Sequence, residues 1–399
     1  MKRVLPLFIF VLLSITAFSH TPDTTRHSKV SLNAEFEHFL RDNEFSAEKI
    51  SGYTLPGFYF RPRVVWNVEK RVHLEAGLHW LHYWGATRYP RNISFTAFPE
   101  MGEESAPSHV LPWMQASVDL LPQMTLVFGS LKNDNGHNLA RPLYDPELLY
   151  AADPEAGIQM LLDFKHFDAD IWMDWKEFIF RGSETQERFI FGFSGKSDLF
   201  QDALVNLTIP VNVLAQHTGG EMLAQEMDPI SVFNFAGGIE LTYNLKVRLK
   251  TGCDLMGFIH NGNAALPFRQ GWGVYPHIGM EFKGLAFDIA YWHGDDFVPL
   301  LGSPHFSSIS VNTPGLVFDP MDMLVVNASY KMRQFRHTTL TFDALSYIYF
   351  PYSGDRPGYP KVERGAAASF SFGFNLKINP LQPLQRKKSL KKAISMPNF

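Results

Sequence analysis

Two runs of strict alternation joined by one tight turn constrain this chain more than any other feature. Phe58, Phe60, Pro62, Val64, Trp66 and Val68 alternate with Tyr59, Arg61, Arg63, Val65 and Asn67. After Glu69-Lys70-Arg71 the pattern resumes, with Val72, Leu74, Ala76, Leu78 and Trp80 set against His73, Glu75, Gly77, His79 and Leu81. A period of two marks strands whose faces meet different surroundings. Each run exceeds ten residues, where an ordinary strand has about five or six. One face is apolar throughout and the other carries Arg61, Arg63, His73, Glu75 and His79. Such strands suit a membrane barrel, with lipid outside and a polar lumen inside.

The same pattern recurs along the chain. It begins at Val30 and returns from Val110 to Leu120, Met124 to Phe128, Ala156 to Phe164, Ala169 to Trp175 and Phe189 to Phe193. It continues through Val205–Val213, Phe235–Tyr243, Val247–Leu255, Val274–Phe282, Leu285–Tyr291, Leu324–Tyr330, Leu340–Ala344 and Ala366–Leu376. About sixteen strands result, an even number, as single-chain bacterial barrels have. Short turns near Glu69, Pro122, His166, Asn244, Lys283 and Gln334 alternate with long connections at 86–108, 132–154, 217–231, 260–270, 293–320 and 351–364. A further turn is expected near Lys196 to Gln201. Short periplasmic turns opposite long external loops complete an all-β, antiparallel, up-and-down transmembrane barrel. In this register Leu78, Ile171, Leu249 and Phe372 face lipid, while Gly77, Trp172 and Ser371 face the lumen.

The N-terminus reads MKRVLPLFIFVLLSITAFSH. Basic Lys2 and Arg3, an apolar core and Ala17-Phe18-Ser19 form a secretory signal over residues 1–19. Residues 20–29 are expected to be a short periplasmic segment, 30–378 the barrel, and 379–399 a basic periplasmic tail with Arg386, Lys387, Lys388, Lys391 and Lys392. The one cysteine, Cys253, rules out an intramolecular disulfide and a cysteine-based metal site. Mean hydropathy is −0.11, far from that of a helical membrane protein. The 35 Phe suit lipid-facing strands and interfacial girdles. A net charge of −4 gives no footprint for nucleic acid.

The chain resembles Gram-negative outer-membrane β-barrels of the porin size class. The phrases Gly52-Tyr53-Thr54-Leu55-Pro56-Gly57-Phe58 and Tyr144-Asp145-Pro146-Glu147 are similar to a family of uncharacterised Bacteroidetes barrels. The resemblance implies location and fold, and no activity. A PEFGG-like porin loop motif is absent from the sequence.

The function expected is a channel for small polar solutes. The alternative is a non-conducting scaffold that binds envelope partners through its external loops. Expected partners are outer-membrane lipid, small solutes and such envelope proteins, without nucleic acid, cofactor or metal. The third long loop, KNDNGHNLARPLYDPELLYAADP, is expected to fold inward. Its Asp134, His137, Arg141, Asp145 and Glu147, with wall residues Arg61, Arg63, Glu75, Asp170 and Asp174, are the pore-lining candidates. Charges facing each other across a narrow passage set selectivity. Asn133-Asp134-Asn135-Gly136 has calcium-loop donors but lacks the later bidentate Glu. Enzymatic activity is not expected. His82 faces lipid beside Trp84 with no Ser two residues away, and the 15 His form no HExxH motif.

Overall fold

The computed structural model describes residues 29–45, 48–84, 108–178, 186–219, 228–261, 266–313, 315–335 and 337–379. The signal segment, residues 20–28, the loop at 86–107 and the basic tail from 380 lie outside the described residues.

Among the described residues, sixteen antiparallel strands close into one barrel. The first eight are β1 (Lys29–Glu44), β2 (Tyr53–Glu69), β3 (Val72–Tyr83), β4 (Ser108–Leu121), β5 (Met124–Ser130), β6 (Ala156–Asp163), β7 (Phe167–Glu177) and β8 (Glu187–Gln201). Then follow β9 (Val205–Gly219), β10 (Ile230–Asn244), β11 (Arg248–His260), β12 (Gln270–Phe282), β13 (Leu285–Asp295), β14 (Met321–Phe335) and β15 (Thr338–Tyr349). A small external ribbon, β16 (Tyr352–Gly354) with β17 (Val362–Arg364), precedes the last barrel strand, β18 (Ala367–Ile378). Every barrel strand pairs with its sequence neighbours, and β18 closes the ring on β15 and β1. Closure satisfies every edge, which hydrocarbon demands.

The short turns are built locally. Lys283 and Gly284, at φ 47° and 88°, make the two-residue connection from β12 to β13. Positive φ at both positions matches the twist of the flanking strands. At the β8 end the sequence misleads. The strand continues through Lys196 to Gln201, and the turn comes at 202–204. The register shifts between Asp198 and Phe200, so Leu199 and Phe200 both stay exposed. That bulge breaks the alternation and hides the strand end from a period-two reading. Likewise, 351–364 holds the β16–β17 ribbon.

The outer face is apolar, and Leu78, Leu249 and Phe372 are 47%, 38% and 55% exposed. A Leu78→Lys barrel is expected to lose about 2–4 kcal/mol of stability, because a midplane ammonium on the lipid face loses its hydration. The denaturant midpoint of refolded protein checks this; an unchanged midpoint would place Leu78 elsewhere. The inner face is not uniformly wet. Trp172 and Ser371 are 1% and 2% exposed, packed beneath loops that enter the barrel.

Candidate functional site

Two external connections fill the outer half of the lumen. The first is the third long loop, residues 131–155. Leu139, Leu143, Tyr144, Tyr150 and Ala151 are all buried on it. It turns inward through Gly136, His137 and Asn138, all at positive φ, a region that non-glycine residues seldom adopt. The second is the loop 296–320, with Phe297, Val298, Leu300, Phe306 and Phe318 buried. The two loops meet where the Asp145 amide donates to the Leu301 carbonyl at 2.9 Å.

The third loop is tied down at three places. His137 is fully buried, with Nδ1 2.8 Å from Asp170 and Nε2 2.6 Å from Glu155. Its ring stacks on Trp172, with centroids 3.8 Å apart. Trp172 can lie flat against the wall because Gly192 sits beneath it; a Cβ there would be 2.1 Å from the indole. Burial by itself would lower the His137 pKa, but the Glu155 charge and the hydrogen bonds the ring donates to both carboxylates outweigh it and hold the imidazolium up to about 9. Further along, the Ala140 amide donates to Asn212 on β9 at 3.0 Å. At the far end Glu147 accepts from Tyr53 at 2.6 Å and from Asn43 at 3.2 Å.

The second loop is held by Asn234 on β10. Its amide donates to the Val298 carbonyl at 2.9 Å and accepts from the Leu300 amide at 2.7 Å. Lys49, buried in the connection from β1 to β2, donates to the carbonyls of His305 and Ser307 and lies over the Phe318 ring. No carboxylate pairs with it among the described residues, and burial pushes its pKa well below the ordinary lysine value.

Arg61 and Arg63 are held within the β1–β3 wall. Arg61 lies 3.5 Å from Glu35 and over the Trp113 ring at 4.2 Å. Arg63 pairs with Glu35 at 3.3 Å and with Glu75 at 2.9 Å. Their carboxylate partners are therefore on the wall rather than on the third loop. Asp170 binds His137 and Gln159, and Asp174 accepts from the Ala156 amide at 2.9 Å and pairs with Lys176. Asp145 caps the Glu147 amide at 3.1 Å. Asp134 is exposed, and it lines the large cavity together with Arg141.

That cavity has a volume of about 1760 Å³. It runs from the turns at Asp202, Lys246 and Lys283 up to Asn138 and Arg141 on the third loop. Its walls carry both signs of charge, including Lys196, Lys250, Glu240, Asp254 and Asp288. A second cavity, of about 30 Å³, lies against the third loop near Glu147.

The outer surface holds two features that the linear sequence conceals. Near the external rim Ser108 on β4 lies opposite His82 on β3, and Ser231 on β10 lies opposite His217 on β9. The His217 Nδ1 is 3.0 Å from the Ser231 hydroxyl. Both pairs join consecutive strands across an external loop and become visible only through the register.

Residues 22–387 match the family model described as lipid A 3'-O-deacylase-type. The chain belongs to that family. The family carries an enzyme's name, and this overturns the expectation that an enzyme can be set aside. Among curated proteins none matches this chain. Solved structures similar to it include OccAB2 of Acinetobacter baumannii, 12% identical, with 88% of this chain and 98% of that chain covered at a TM-score of 0.50. OccK8 (OprE) of Pseudomonas aeruginosa is 11% identical over 90% of this chain and 99% of that one, with a TM-score of 0.47. At such identity the first of these supports the fold, and the family member is an outer-membrane barrel of sixteen strands.

Proposed function

We propose that this barrel is a gated channel for small polar solutes, open at its periplasmic end and shut by its two inward loops. The observation that carries this reading is the charged cavity of about 1760 Å³ that ends on the third loop. Mixed charges along a wide lumen offer hydration substitutes to a polar solute without holding it tightly. The plug is held by buried apolar side chains together with hydrogen bonds and ion pairs, and the polar contacts can break and reform as a loop swings. Export with cleavage after about Ser19 fits that location, as do lipid contacts around the apolar face. Planar-bilayer recording of refolded full-length protein tests the proposal. Discrete openings from a closed level are expected. A silent barrel that still migrates faster unheated than boiled would favour the scaffold.

One specific observation favours a second reading, ester hydrolysis at the external leaflet. A Ser hydroxyl within hydrogen-bond reach of an imidazole is a nucleophile beside its base, as Ser231 and His217 are. Both face outward at the external rim, where the acyl chains of lipid A would lie. The family description supplies the matching substrate, the 3'-O-acyl ester of lipid A. Mass analysis of lipid A from cells carrying the wild-type chain or its Ser231→Ala variant tests this. Acyl loss that depends on Ser231 is expected, and unaltered lipid A with both chains sinks the reading.

A further inference from the structure

We propose that Arg141 is the recognition group for the anionic end of a small solute, a carboxylate or a phosphate, that enters through the vestibule. The inference rests on reading the barrel as a channel and names what the channel selects. Arg141 stands on the third loop where the vestibule ends, and its side chain also lines the 30 Å³ cavity on the other side. The residue is 6% exposed. Its Nε and Nη1 have no hydrogen-bond partner, and among the described residues no carboxylate lies within ion-pair distance of it.

The other lumenal arginines differ. Arg41 holds Asp343 at 2.8 Å, Arg61 faces Glu35, and Arg63 bridges Glu35 and Glu75. Where this barrel uses a guanidinium to fasten its wall, it supplies a carboxylate. Arg141 alone of these four has none. A guanidinium cannot give up its proton to escape burial, so an uncompensated one is unfavourable until an anion reaches it. Carboxylate and phosphate oxygens match the planar array of N–H donors.

The surroundings refine the preference. The vestibule is larger than the roughly 300–1,000 Å³ of an ordinary small-molecule site, so it has room for a small solute beside Arg141. Asp288 on β13 lines the same cavity and interacts electrostatically with Arg141 without forming an ion pair. Its negative charge weakens binding of multiply charged anions and favours a singly charged group or one that also carries an ammonium.

Isothermal titration of refolded full-length protein with lactate and with inorganic phosphate, glycerol being the neutral comparator, tests the proposal. Saturable binding of at least one anion is expected for wild type and Arg141→Lys. Loss of a charged hydrogen-bonding partner in Arg141→Gln is expected to weaken it about tenfold or more. Lys165→Gln, a charge removed from the exposed turn between β6 and β7 outside the vestibule, should leave it nearly unchanged. Wild-type affinity in Arg141→Gln, or equal losses in both Gln variants, would overturn the proposal. Should Arg141→Gln fail to fold, Asp288→Asn carries the test: tighter binding supports the site, and unchanged or weaker binding overturns it. Binding without bilayer conductance would sink the channel reading and leave the anion site standing. Conductance without Arg141-dependent binding would do the reverse.

Discussion

Replacing His137 with Ala is expected to cost on the order of 3–5 kcal/mol, because it breaks a buried ionic cluster and leaves two carboxylates without their cation. Asp170 and Glu155 both point at the imidazole, at 2.8 and 2.6 Å. The loss should appear locally first, since the barrel wall does not depend on this contact. Protease nicking of the third loop and a larger open probability in bilayers are the readouts. Adding Glu155→Gln to His137→Ala should recover part of the loss, because it removes one of the orphaned charges. A variant indistinguishable from wild type in both readouts would show that the cluster does not hold the loop.

The same latch predicts a pH dependence. The folded imidazolium is held up to about 9 from an ordinary value of 6.5. A group whose pKa is raised by folding stabilises fully below its unfolded value and loses that contribution as pH rises through the folded one. The third loop should therefore be tightest near neutral pH and below, and loosen as pH climbs towards about 9. His137→Gln should abolish this dependence while keeping a neutral hydrogen-bonding side chain.

The second large effect concerns the loop as a whole. Deletion of residues 134–147 is expected to raise conductance severalfold, since it removes the buried Leu139, Leu143 and Tyr144 from the lumen together with Arg141. The increase should remain partial. The loop 296–320 would still occupy the opposite side, anchored through Asn234 and Lys49. Shortening both loops should give the largest pore. Unchanged conductance in the single deletion would mean that the second loop alone sets the resistance.

The barrel is legible because lipid enforces a rule at every second residue, and most of the barrel strands, apart from bulges such as that in β8, obey it. Leu78 and Phe372 could be assigned to the outside from their neighbours alone. The lumen was harder to read, because both plug and wall contribute to its packing and only the wall is periodic. Trp172 illustrates this. Its register places it inward, where a wet lumen would tolerate Lys. Instead it is stacked on His137, and Trp172→Lys should cost at least as much as a lipid-facing Lys. The loop 296–320 carries a signal of its own that is not periodic: Phe297, Val298, Leu300, Phe306 and Phe318 are too apolar for a segment bathed in water. The pairing of Ser231 with His217, and of Arg63 with Glu75, depends on which residues oppose each other across strands. Alternation gives the face of a residue but not its cross-strand partner.

The pairing of β1 with β18 has a consequence for how the molecule comes into being. All other strand pairs join segments that emerge close together, so the sheet can grow hairpin by hairpin at small entropic cost. Phe36–Glu44 must wait for Phe370–Ile378, more than three hundred residues later. Until they meet, the growing sheet has two bare margins whose amides and carbonyls seek any available strand. Sealing that seam joins the most distant segments of the ring and is expected to be the slowest step of assembly. Weakening it, rather than any interior hairpin, should leave an insertion intermediate that is rich in strands yet open along one side.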